Sequence, residues 1–218
     1  MAPGLCLVLG GVRSGKSEFA EKLVRDLDQA TMYVATGLPV DAEMEQRIQR
    51  HRDSRPASWT TLEEPVDLAG CLETAFGGRE PPAVVLVDSV DHWVGNLLHE
   101  HEGQPEEQVQ ALAMSAVARL LMVCERSSAD VFLVSSEVGL SLVPPNPLGR
   151  RFQDLLGLVN QKFAAAAGRV YFVAAGIPVV LKGPPIIGPA GKPTAIRDRV
   201  NCCCAGGHHK SFGPSKIN

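Results

Sequence analysis

The sequence predicts an α/β fold with a mostly parallel central sheet flanked by helices, and three observations predict it. The apolar runs Leu5–Leu9, Ala83–Val87 and Val131–Val134 are unbroken, as strands buried on both faces must be. Stretches with helical spacing separate them, the arrangement that builds parallel sheets. Finally, Gly10-Gly11-Val12-Arg13-Ser14-Gly15-Lys16-Ser17 follows the first run and matches G-x-x-x-x-G-K-[ST]. Phe19, Leu23 and Leu27 recur after it at helical spacing, so the glycine loop joins a strand to a helix. In that context its N–H groups and the helix N-terminus converge on an anion, Lys16 reaches the β/γ-phosphates, and Ser17 offers its hydroxyl to Mg²⁺. The expected fold is therefore P-loop NTPase-like, and the expected ligand is a nucleoside triphosphate.

Composition narrows the partner. The chain has 218 residues, 45% hydrophobic and 21% charged, enough for one α/β domain with a sizeable core. Its net charge is −3. Residues 184–218 carry Lys192, Arg197, Arg199, Lys210 and Lys216 against Asp198, a balance of +4, which leaves −7 on residues 1–183. An acidic body argues against a nucleic-acid partner and for a small-molecule substrate. No run approaches the roughly 20 apolar residues of a membrane span, and the N-terminus has no signal-peptide pattern, so a cytoplasmic protein is expected. Cys6, Cys71 and Cys124 sit singly in apolar or helical settings and read as small core residues without disulfides.

Taken in order, Thr31–Gly37 is a second short strand whose end brings Ala35, Thr36 and Gly37 to the carboxyl edge, where ligands gather in open α/β sheets. Asp41–Arg52 reads as a helix with Asp41 as N-cap. Met44, Ile48 and His51 share one face of it, so His51 faces inward or into a cleft, while Arg47, Arg50, Arg52 and Arg55 surround the helix end with positive charge suited to phosphates. The candidate nucleotide contacts accordingly take in Arg52, Asp53, Ser54 and Arg55, together with Glu63 at the end of the next short strand, Trp59–Leu62.

The run Ala83–Val87 ends in Asp88, the pattern of a central strand carrying a carboxylate toward Mg²⁺; helix capping is the other role open to it. Pro105–Arg126 reads as a long structural helix with Val109, Leu112, Ala116, Leu120 and Val123 inward. The strand Asp130–Ser135 then delivers Ser136, Glu137 and Gly139 to the P-loop edge, with Glu137 a candidate acid. After the proline-rich Val143–Pro147, a helix buries Phe152, Leu155, Leu156, Val159 and Phe163, and Asn160 beside that face predicts a buried hydrogen bond. Two strands follow, the second at an edge because it contains Pro178. Residues 1–183 thus form the catalytic domain, and 184–218 a Gly/Pro-rich basic tail read as disordered. Its Cys202-Cys203-Cys204 and His208-His209 lack zinc-ligand spacing.

These motifs together resemble the bifunctional adenosylcobinamide kinase/adenosylcobinamide-phosphate guanylyltransferase family. The P-loop, Tyr33-Val34-Ala35-Thr36, Glu43-Met44 through Arg47-Ile48 to His51, and Arg55-Pro56 with Trp59 carry the resemblance. So do Glu137-Val138-Gly139 with Val143-Pro144, and Arg151-Phe152-Gln153-Asp154 with Gly157 and Asn160-Gln161. The resemblance implies a corrinoid substrate, ATP and GTP as co-substrates with Mg²⁺, a homo-oligomer (a trimer), and two reactions. One phosphorylates the aminopropanol hydroxyl of adenosylcobinamide; the other moves GMP from GTP onto that phosphate through an adduct on a histidine, by position His51. Relatives often have a second histidine where this chain has Arg50, and they usually stop near the last strand. Two other readings stay open from the residues alone: a single-step P-loop kinase in which His51 only packs, and a nucleotide-binding switch without a small-molecule substrate.

Overall fold

The computed structural model describes residues 4–39, 46, 49, 52, 53 and 55–184. The expected tail from residue 185 onward, and most of the expected helix over 41–52, including His51, lie outside the described residues; Gln46, Gln49, Arg52 and Asp53 are helical. In order the chain forms β1 (Leu5–Gly10), α1 (Lys16–Arg25), β2 (Thr31–Ala35), β3 (Thr60–Glu63), α2 (Leu68–Phe76) and β4 (Val84–Asp88). It continues with α3 (Val90–Glu100), α4 (Glu106–Arg126), β5 (Asp130–Ser136), α5 (Pro147–Ala166), β6 (Arg169–Ala174) and β7 (Ile177–Lys182).

The strands make one sheet in the order β3-β2-β4-β5-β1-β6-β7. Every pairing is parallel except that of β6 with β7. The mostly parallel sheet flanked by helices is thus the one the apolar runs predict. Pro178 falls in edge strand β7, where a missing N–H costs no interior ladder bond. Strand alternation divides the core into two layers. Leu7, Leu9, Val34, Val85, Val87, Val131 and Leu133 pack with Leu72, Trp93, Val117, Leu120, Leu156 and Phe163 from α2 to α5. The alternate residues, Cys6, Val8, Tyr33, Leu86, Phe132 and Val134, are equally buried, and α1 packs on that side with Ala20 and Val24.

Two helix faces differ from expectation. On α1 the deepest stripe is Ala20, Glu21 and Val24, with Phe19, Leu23 and Leu27 on its half-buried flank. Phe19 meets Tyr171 of β6 edge-on at 5.4 Å. On α4 the buried line is Val109, Ala113, Val117, Leu120 and Val123, while Leu112 is 42% exposed. The buried line starts with steps of four, Val109 to Ala113 to Val117, and so passes Leu112 by. By length and composition α4 is also the one described helix apolar enough to cross a membrane. In this fold it packs against α2, α3 and α5, and Arg119 on its surface pairs with Asp67 and Glu73 of the α2 region at 3.0 and 2.7 Å.

Cys6, Cys71 and Cys124 are free thiols, and burial pushes them up to about 12, 11 and 12. They are packing residues, as their settings predict. Asn160 finds its partners at the end of β5: its Oδ1 accepts from Ser135 Oγ at 2.6 Å, and its Nδ2 donates to the Ser136 carbonyl at 3.0 Å. All three residues are buried. Asn160→Ala should therefore cost about 1–3 kcal/mol by stranding a hydroxyl and a carbonyl. Urea unfolding reads that cost, and a change below about 0.5 kcal/mol would mean that water replaces the amide.

Candidate active site

The glycine loop spans the gap from β1 to α1. Gly15 ends it at φ 90°, a left-handed conformation that a Cβ would strain, and there it serves as N-cap of α1. Gly10 is required for space: an added Cβ would lie 2.4 Å from Ser14 Oγ and 2.6 Å from the Val173 carbonyl. Two neighbouring elements brace the loop. The Glu137 N–H donates to the Gly10 carbonyl at 3.1 Å, and the Gly176 N–H in the β6–β7 turn donates to the Ser14 carbonyl at 2.8 Å. Val12 and Arg13 stand exposed at the tip.

Lys16 is buried, and among the described residues its ammonium meets only the Gly11 carbonyl, at 3.5 Å. Ser14 Oγ is buried with no hydrogen-bond partner among the described residues. A buried ammonium and a buried hydroxyl without a carboxylate or other side-chain partner among the described residues, set at a helix N-terminus, are the features that favour an anion.

Asp88 ends β4 and is the hub beside this loop. Its Oδ1 accepts from Ser17 Oγ at 3.3 Å and its Oδ2 from the Tyr33 hydroxyl at 2.8 Å. Ser89, not Asp88, is the N-cap of α3, so the capping role is not the one Asp88 plays. The Tyr33 ring carries the Arg55 guanidinium 3.5 Å above it and stacks on Trp59 at 6.5 Å. Arg55 Nε is buried without a partner. Burial, with the Asp88 charge behind it, pushes the Tyr33 phenol far above its ordinary range, which keeps it a hydrogen-bond donor.

Glu21 joins this cluster, and periodicity did not single it out. It lies one turn beyond Ser17, is buried, and accepts from Arg25 at 2.8 Å. Burial raises its carboxyl above the usual range; Arg25 opposes the rise and Asp88 adds to it. A glutamate four residues after Ser17 was the only available signal, and the sequence does not say that this helix face meets the sheet.

The remaining expected contacts separate. Ala35 is in register with both Asp88 and Glu63, so these three end their strands at one level. Glu63 forms an ion pair with Arg52, both half exposed or more. Asp53 accepts from Gln49 at 2.7 Å on the surface. Thr36 is fully buried, and its Oγ1 donates to the Ser89 carbonyl at 2.7 Å while accepting the Ser89 N–H at 2.8 Å. Its hydroxyl thus holds the chain just after Asp88, and Asn96 fixes its carbonyl at 2.8 Å. Gly37 continues that edge. Glu137 Oε1 accepts the Gly139 N–H at 2.6 Å, which makes its carboxylate part of a local turn. His51 and Ser54 lie outside the described residues. Among the described residues no group of three or more His, Cys, Asp or Glu could hold a metal. Ser17 and Asp88 face each other through oxygen atoms, the donor type that hard cations take.

Two substitutions probe this geometry. Gly10→Ala should weaken nucleotide binding at least about tenfold, because the loop must open to clear Ser14 and Val173; unchanged affinity by isothermal titration would mean the loop relaxes freely. Thr36→Val keeps the volume but strands the Ser89 N–H and carbonyl, so denaturant unfolding should fall by about 1–3 kcal/mol.

Comparison with known proteins agrees with the resemblance read from the motifs. The family model described as cobinamide kinase / cobinamide phosphate guanyltransferase matches residues 6–181. The Escherichia coli bifunctional adenosylcobalamin biosynthesis protein CobU is 41% identical over 184 residues, covering 82% of this chain and 99% of its own. The Pseudomonas aeruginosa bifunctional adenosylcobalamin biosynthesis protein CobP is 40% identical over 181 residues, covering 83% of this chain and 98% of its own. Among solved structures, the RadB recombinase aligns with 78% of this chain and 74% of its own, at TM-score 0.44 and 16% identity. With a family model spanning nearly all of the sheet and two relatives matched over almost their whole length, the chain belongs to the cobinamide kinase / cobinamide phosphate guanyltransferase family of kinases and nucleotidyltransferases.

Proposed function

We propose that the chain phosphorylates the aminopropanol hydroxyl of adenosylcobinamide with ATP or GTP, and then transfers GMP from GTP to the resulting phosphate through a covalent adduct on His51. The observation that carries the reading is the P-loop with its buried Lys16, which meets no carboxylate among the described residues, beside the Ser17–Asp88 pair. Membership of the family supplies the substrate class.

In the first reaction the substrate oxygen attacks the γ-phosphorus and the bond to the β-phosphate oxygen breaks. Lys16 and the loop N–H groups neutralise the charge that builds on the phosphate oxygens. Mg²⁺, when bound at Ser17 Oγ and the Asp88 carboxylate, supplies further neutralisation of the phosphates. In the second reaction a neutral His51 imidazole nitrogen attacks the α-phosphorus of GTP and pyrophosphate leaves. A phosphate oxygen of the cobinamide phosphate then attacks the same phosphorus and the nitrogen–phosphorus bond breaks, giving adenosylcobinamide-GDP and restoring the imidazole. Arg55, held over the Tyr33 ring, is the cation we assign to the nucleotide phosphates; Arg52, next to His51 in sequence, is already paired with Glu63.

Incubation with GTP alone should add the mass of one GMP to the peptide containing His51. The adduct should be labile in acid and resistant to alkali, because protonation turns imidazole into a good leaving group. His51→Ala should lose the adduct and nucleotide transfer while still phosphorylating cobinamide; an acid-labile adduct that persists in this variant would place the nucleophile elsewhere. Lys16→Ala should lower kinase kcat by about 10²- to 10³-fold with the fold intact by circular dichroism, and near-normal turnover would end the P-loop assignment.

A further inference from the structure

Large apolar side chains are exposed in one short stretch beside the P-loop. Between β5 and the second turn of α5, Leu140 is 82% exposed, Leu142 93%, Val143 75% and Leu148 55%. The stretch Val138–Gly149 contains no charged residue, in a chain that is 21% charged. Monomeric surfaces rarely carry such clusters without something to bind.

The stretch is also tied down. Ser141 Oγ and Gln153 Nε2 each donate to the Val138 carbonyl at 2.6 Å. Arg150 Nη1 donates to the Pro144 and Pro145 carbonyls at 3.0 and 2.9 Å, and Asn146 Oδ1 accepts the Gly149 N–H at 2.6 Å. These bonds tie the segment to its own backbone and to α5, while its leucines stay exposed to solvent. A preorganised apolar surface binds at lower entropic cost than a floppy one.

Its position selects the occupant. The segment leaves β5 next to the residue whose N–H donates to the Gly10 carbonyl, and Leu140 is three residues farther on, within about 11 Å along the chain. A phosphoryl acceptor must approach the P-loop at this edge. We propose that Leu140, Leu142, Val143 and Leu148 form the docking surface for the corrin ring of cobinamide, a reading that rests on the kinase function proposed above. The methyl-bearing faces of that macrocycle match the leucines, and its uncharged carboxamide fringe matches a segment without charge. The phosphates are left to Lys16 and Arg55 on the cationic side. The other exposed apolar row, Ile177, Val179 and Leu181 of β7, starts after Gly176, which braces Ser14, but runs away from the loop toward the opposite edge of the sheet along the outermost strand.

The test uses the full chain with Leu140→Ser, Leu142→Ser, the double variant, and Leu112→Ser on α4 as control. Binding of adenosylcobinamide, read by ultrafiltration and corrinoid absorbance, should weaken about tenfold for each single variant and about a hundredfold for the double. The KM for cobinamide should rise in parallel, with the KM for nucleotide within about twofold of wild type and the oligomeric state by sedimentation unchanged; Leu112→Ser should alter none of these. Unchanged corrinoid affinity in the double variant overturns the proposal. A double variant that dissociates overturns it too, because the leucines would then belong to a contact between copies of the chain. Wild-type chain that binds cobinamide but does not phosphorylate it would sink the kinase reading and leave the docking test standing.

Discussion

The site depends on the hydrogen bonds that converge on the Asp88 carboxylate. Asp88 ends β4, which is not adjacent to the P-loop strand: β5 lies between them. Through β5 the register aligns Asp88 with Val134 and Val134 with Val8, so the carboxylate stands level with the strand two residues before the loop begins. The first turn of α1 must lean across β5 to bring Ser17 within 3.3 Å of it. The closely packed small residues Ala20 and Val24 let the helix lie low enough to do so.

From that carboxylate the site extends outward by one contact at a time. Tyr33 occupies the second oxygen, and its ring becomes the platform on which Arg55 lies. The glycine loop and the segment carrying Arg55 are in this way joined through a single phenol. Thr36 and Asn96 secure the backbone on either side of the strand ends. Glu21 adds a buried carboxyl near Asp88; burial raises its pKa and Arg25 opposes the rise. With Glu21 and Lys16 buried and Asp88 half-buried, the charges of this cluster are partly withdrawn from bulk solvent, where they interact more strongly.

Function then divides by chemistry around one edge of the sheet. In the function proposed above, cations and loop amides take the phosphates, and the uncharged leucine-bearing segment after β5 takes the corrin ring. Both are carried at the carboxyl ends of β1, β4 and β5, where a parallel sheet gathers its loops and where strand ends with rigid register can place groups from distant parts of the chain.

Much of this was determined by the sequence alone. Unbroken apolar runs required two-sided burial and hence the parallel sheet, Pro178 required an edge, and the spacing of glycines, Lys16 and Ser17 required a phosphate loop, because these are consequences of local stereochemistry and of solvent exclusion. Asn160 was legible as a buried polar group, but its partners, Ser135 and Ser136, were not, since they lie on the preceding strand and only the packing of α5 on β5 joins them. The same holds for Glu21, for the line of α4 through Ala113 in place of Leu112, and for the commitment of Thr36 to Ser89. Helical period limits which residues can share a face, but the angle at which a helix meets its neighbours decides which of them is buried. The Tyr33 and Asp88 pairing spans 55 positions. No local pattern encodes it; strand order and register bring it about.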